Sequence, residues 1–167
     1  MNKGIVFGLA LAAGLPALQG CALALAGGAV TTATVARDQR TAGTILDDHR
    51  IESKAGDFFS ADAELSQQSH LGVTAYNGMV LLVGQVPTED LKKRAVEYIG
   101  RIAKVRHIYD ESTVAAPTPT LTRANDGLIT TKVKGKLVTI KELNSSDITV
   151  VTENGVVYLL GLVDQPT

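Results

Sequence analysis

A chain of 167 residues, 45% of them apolar, has material for one ordinary domain or two small ones. Its formal net charge of -1 and pI near 6.3 lack the basic excess that nucleic-acid binding requires, so no nucleic-acid partner is expected. Trp is absent and the aromatic residues amount to 4%, which suits thin two-layer packing and gives no reason to expect a cofactor pocket.

The chain opens with Met1-Asn2-Lys3, a short positive region, and then carries no charge from Gly4 to Ala36. Ile5 to Leu15 is an apolar stretch, and Leu18-Gln19-Gly20-Cys21 follows where a signal peptidase would cut. The small Gly20 suits the cleavage pocket, and Leu18 is the branched apolar residue preferred two places before it. This is the pattern of a lipobox, which implies cleavage after Gly20 and acylation of Cys21. Two other readings stay open. The uncharged run exceeds the ~20 residues needed to span a bilayer, so an uncleaved helix competes, although Pro16 and the glycines at 4, 8, 14, 20, 27 and 28 interrupt it. A plain secreted form is the third. With one cysteine, no intramolecular disulfide can form. Residues 31–47 lack a clear period and read as a tether.

The remainder is organised by an internal repeat. Val73-Thr-Ala-Tyr-Asn-Gly-Met-Val-Leu-Leu-Val-Gly-Gln-Val86 aligns with Val150-Val-Thr-Glu-Asn-Gly-Val-Val-Tyr-Leu-Leu-Gly-Leu-Val163 at an offset of 77. Asn77-Gly78 and Asn154-Gly155 each separate two strand-like runs and suit type I′ turns, so each copy should be a β-hairpin. Gly84 and Gly161, at equivalent strand positions, should mark a bulge or the close approach of another backbone, such as the helix that follows.

Upstream of the first hairpin, Asp47-Asp48 can cap a helix whose face is Ile51, Ala55, Phe58 and Phe59. Asn125-Asp126 precede the matching stripe Ile129, Val133 and Leu137. Downstream of the first hairpin, Thr88 should cap a helix carrying Leu91, Ala95, Tyr98, Ile99 and Ile102. Val105-Arg-His-Ile-Tyr109 then alternates as a strand should, lying parallel to one hairpin strand. The unit is therefore αββαβ, and Ser112 to Arg123, with its Pro-Thr repeats, reads as an extended linker. Judged by the first copy, the second would need roughly another 25 residues after Val163 to add its last helix and strand.

The leader, Cys21, the two copies of the unit, the run from Val73 to Gln85, and Ile129-Thr-Thr-Lys-Val133 resemble the dual BON-domain outer-membrane lipoproteins. The resemblance implies an α+β fold of two-layer αββαβ units in tandem, the second lacking its last helix and strand. Its expected divisions are a signal peptide at 1–20, a lipidated tether at 21–46, a first BON domain at 47–112, a Pro/Thr linker at 113–124 and a partial second BON domain at 125–167. It also implies an outer-membrane location, lipid-anchored and facing the periplasm, with phospholipid binding and a part in envelope integrity.

Chemistry is sparse by comparison. No nucleophile elbow, phosphate-binding loop or zinc-protease pattern occurs, and His49, His70 and His107 lie too far apart in sequence for a metal site. Asp47-Asp48 and Asn144-Ser145-Ser146-Asp147 fall where caps and turns belong. No enzyme, catalytic residue, cofactor or metal is expected. Lys132, Lys134, Lys136 and Lys141, beside Leu128 and Ile129, could rest on a membrane, apolar groups among the head groups and ammonium groups on anionic phosphates. An ordinary amphipathic helix with a solvated lysine face explains the same residues. The alternative function is a periplasmic protein-interaction adaptor for which the lipid is only an anchor.

Overall fold

The computed structural model describes residues 40–141 and 143–162. The first helix, α1 (Ala42–Ala61), starts earlier than Asp47-Asp48 suggests, because Thr41 caps it by accepting from the Thr44 N–H at 3.1 Å. Asp62 ends α1 and caps the short α2 (Ala63–Gln68), its Oδ1 accepting from the N–H groups of Glu64 and Leu65. The hairpin follows as β1 (His70–Tyr76) and β2 (Met79–Val86), then α3 (Glu89–Gly100) and β3 (His107–Val114). Thr88 caps α3 through the Leu91 N–H.

In this first sheet the order is β1-β2-β3, antiparallel and then parallel, so β2 is central. Alternation along β2 sends Val80, Leu82 and Val86 to the helical side, where they meet Ile51 and Ala55 of α1 and Leu91, Ala95 and Ile99 of α3. Fully burying each such side chain stabilises the fold by about 1.5–3 kcal/mol. Leu81, Val83 and Gln85 face the other way and are buried as well.

The second copy consists of α4 (Thr120–Val138), a 3-10 turn (Ser145–Asp147) and the hairpin β4 (Ile148–Glu153) and β5 (Val156–Gly161). The supposed linker is mostly structured: β3 runs to Val114 and α4 begins at Thr120, directly after Pro119. Proline is favourable ahead of a first helical turn, where a missing N–H costs nothing. The copies are joined by polar bonds. The Tyr76 hydroxyl donates to the Asp147 carbonyl at 2.9 Å, and Gln85 Nε2 donates to Glu153 Oε1 at 2.7 Å. Gln85 Oε1 accepts from the N–H and hydroxyl of Thr118. The described residues belong to one compact unit with its own core, so residues 37–167 can fold without the leader.

Asp48 and Asp126 correct the sequence reading. Both lie inside their helices, buried, and neither caps one. Asp48 accepts from the Asn77 N–H at 2.7 Å and the Gly78 N–H at 2.8 Å, and Asp126 does the same for Asn154 and Gly155 at 2.9 and 2.8 Å. Each carboxylate thus latches a helix to the tip of its hairpin. The turn residues have φ of 52° and 74° in the first copy and 49° and 79° in the second, the left-handed pair of a type I′ turn.

The strand glycines are also explained. A Cβ on Gly84 would lie 1.9 Å from the His70 carbonyl oxygen, and one on Gly161 would lie 2.6 Å from that of Asp147. The close backbone belongs to the start of the partner strand, not to the following helix.

Candidate lipid-facing helix and an intersheet cleft

At about 100° per residue, α4 turns Asp126, Ile129, Thr130, Val133 and Leu137 toward its hairpin. The Thr130 hydroxyl donates to that of Thr152 at 2.7 Å, tying this face to β4. The opposite face carries Leu121 and Leu128, 83% and 60% exposed, with Lys132 one turn beyond Leu128. The structure therefore brings together Leu128 and Lys132 but separates Ile129 from them, because it is half-buried on the inner face. Lys136 flanks the outer face on one side. Lys134 lies on the other flank, beside Leu137, Val138, Ser145 and Ser146. Among the described residues, none of Lys132, Lys134, Lys136 and Lys141 forms an ion pair.

Leu121 escaped the sequence reading because it sits in the segment taken for a linker. Its signal is present as the spacing Leu121, Leu128, Lys132, which keeps all three within one helical face. Beyond the last turn of α4, Val138 and Ile140 are exposed too. Leu18, Gly20 and Cys21 lie outside the described residues. No described helix is long and apolar enough to cross a membrane.

A second feature is a cleft of about 500 Å³ between the outer face of the first sheet and β5. Tyr76, Met79, Leu81, Tyr109 and Glu111 form its floor, and residues 157–162 its opposite wall. The floor follows from register: Leu81 pairs with Tyr109 and Val83 with Glu111, so these side chains share the face turned away from α1 and α3. Desolvation holds the Tyr158 hydroxyl above its usual pKa, and the negative charges of Glu111 and Glu153 push it the same way. Among the described residues, no group of three potential metal-ligating side chains occurs.

Comparison with known proteins follows the repeat. The family model described as BON domain matches residues 47–116 and 125–167, one segment on each copy. The chain is 38% identical over 148 residues to the outer membrane lipoprotein DolP of Haemophilus influenzae, an alignment covering 89% of this chain and 77% of that one. It is 36% identical over 124 residues to a 21 kDa hemolysin of Actinobacillus pleuropneumoniae, covering 74% of this chain and 64% of the hemolysin. Neither name is that of an enzyme. Two matched segments on two copies of one unit, together with the DolP identity across most of the sequence, show that the chain belongs to the BON-domain outer-membrane lipoproteins.

Proposed function

We propose that this is a non-enzymatic lipoprotein, cleaved after Gly20 and acylated at Cys21, that faces the periplasm and lays the outer face of α4 on anionic phospholipid, thereby supporting envelope integrity. The observation that carries the reading is the exposure of Leu121 and Leu128 on the face that also presents Lys132. Two large apolar side chains gain by entering the head-group layer, and each nearby lysine adds about 1 kcal/mol on an anionic surface. Acyl chains contribute roughly 0.8 kcal/mol per buried CH₂. They would dominate attachment, leaving α4 to set orientation and lipid preference.

The test is vesicle flotation of residues 37–167, which have neither leader nor anchor. Recovery should be high with vesicles containing phosphatidylglycerol and low with phosphatidylcholine alone. Joint replacement Leu121→Ser, Leu128→Ser and Lys132→Gln should abolish the difference. Equal recovery on both vesicles, or no response to the triple replacement, refutes the lipid role. Intact mass of the membrane-extracted protein tests Cys21 separately.

The adaptor reading is favoured by another observation. Val156, Leu159 and Leu162 are exposed at β5, and in the two-stranded second sheet β5 has one unpaired edge among the described residues. Crosslinking in cells from Leu159 to a defined envelope protein, with α4 unprotected by lipid, would establish it.

A further inference from the structure

The cleft under β5 has a composition unlike that of the α4 face. Its described lining contains one charged residue, Glu111, and no lysine or arginine. Three of the chain's four tyrosines, Tyr76, Tyr109 and Tyr158, line it, with Met79 and Leu81 at its floor. Its volume of about 500 Å³ falls within the range of roughly 300–1,000 Å³ typical of small-molecule sites.

Each part of this lining selects against one class of ligand. An anionic head group would meet a carboxylate with no compensating cation, which disfavours the phosphate that α4 would accept. A purely apolar molecule would draw nothing from Glu111. An ammonium group meets neither objection, because aromatic faces attract cations through their ring quadrupoles and a carboxylate nearby supplies the counter-charge. Glu153, close enough to Tyr158 to act on its hydroxyl, adds negative potential from the adjoining strand. An alkyl tail would lie along Met79, Leu81 and the wall of β5.

We propose that the cleft between the first sheet and β5 binds an amphiphile with an ammonium head and an alkyl tail, the head lying between Glu111 and the rings of Tyr109 and Tyr158, since the buried Tyr76 ring already carries the Arg40 guanidinium. This site is separate from the α4 face and does not depend on it.

The absence of Trp makes the test direct, since tyrosine emission then reports mainly on the cleft. Residues 37–167 would be titrated with hexyltrimethylammonium, hexyl sulfate, hexanol and tetramethylammonium, all as monomers. Saturable quenching or enhancement is expected with hexyltrimethylammonium, at least tenfold tighter than with the other three. Glu111→Gln, at an exposed position, should weaken binding about tenfold, and Tyr158→Leu should remove most of the preference over hexanol. Lys132→Gln should leave the titration unchanged while reducing flotation on anionic vesicles, so the two sites fail or succeed independently. Equal binding of hexyl sulfate or hexanol, no saturable signal, or indifference to Glu111→Gln overturns the proposal. Binding of tetramethylammonium as tight as that of the hexyl cation would also overturn it, since the tail would then contribute nothing.

Discussion

The central strand of the first copy and its counterpart in the second differ little in sequence and greatly in surroundings. Leu82 of β2 is 0% exposed, whereas Leu159, its equivalent on β5, is 55% exposed. The turns, the latching carboxylates and the strand glycines correspond in both copies. What separates them is the covering layer. In both copies the first helix packs on the first hairpin strand, α1 on β1 and α4 on β4, but in the first copy α3 also lies over β2 and β3 runs along its edge, and among the described residues of the second copy β5 has no such cover. Burial is thus a property of the neighbours a strand acquires, not of its own residues. The second copy compensates by leaning on the first, through Tyr76 to Asp147 and through Gln85 to Glu153 and Thr118.

The largest expected effect breaks this comparison at its centre. Leu82→Ala should destabilise by about 4 kcal/mol, within the roughly 2–5 kcal/mol seen when a packed leucine is truncated. Leu159→Ala should cost under about 1 kcal/mol, because an exposed side chain leaves no cavity. Urea denaturation of residues 37–167 would measure both. Similar losses would mean that Leu159 is packed in the purified chain and that the contrast between the copies does not hold in solution.

The latches sharpen the same contrast. Asp48 also pairs with Arg40 at 2.8 Å, and that guanidinium lies over the Tyr76 ring, 4.0 Å from its centroid. Among the described residues Asp126 forms no such ion pair. The position corresponding to Arg40 is Thr118, which is given over to Gln85. Replacing Asp48 by Ala strands two turn N–H groups and breaks a buried ion pair, at a cost of about 3 kcal/mol. Asp126→Ala loses only the turn bonds, about 2 kcal/mol. Hydrogen exchange at Gly78 and Gly155 would locate each loss. A larger effect for Asp126 would show that the Arg40 pair contributes nothing.

How much of this was legible follows from the range of each interaction. The hairpins could be read because an Asn-Gly turn and alternating strands are local signals, and Leu91, Ala95 and Ile99 could be read because a helix repeats its face. Asp48 was misread for the same reason: an aspartate near a helix start looks like a cap, and its true partners lie 29 and 30 residues away. The start of α4 was hidden by Pro-Thr repeats that resemble an extended linker. With that start misplaced, Leu121 was lost from the candidate surface and Ile129 was assigned to it. The cleft had no sequence signal at all, since Glu111 and Tyr158 come from different copies and meet only through the docking of two sheets.

The smallest expected effect concerns acid, and it too distinguishes the copies. The Arg94 guanidinium, first of all, and then the backbone N–H of Leu65 hold the Asp62 carboxyl below its ordinary pKa, against an opposing contribution from desolvation. Arg94 in turn gathers Asp62, Glu64 and Asp90 within 3.1 Å, joining α1, α2 and α3 at one corner. A carboxyl whose pKa is lowered by folding adds stability above its unfolded pKa of about 4 and loses that stability as pH falls through the folded value. In the second copy the position matching Asp62 is Thr139 by the offset of the hairpins and Ile140 by that of the latching aspartates, so neither alignment gives Asp62 a carboxylate equivalent. Arg94→Gln should therefore narrow the gap between stability at pH 7 and at pH 3, with the change confined to amides of the α1–α3 corner. Arg94 is one-third exposed and the pairs are screened by salt, so the shift should be modest and should shrink further at high ionic strength. If acid instead loosens the α4 hairpin first, the corner has only a packing role.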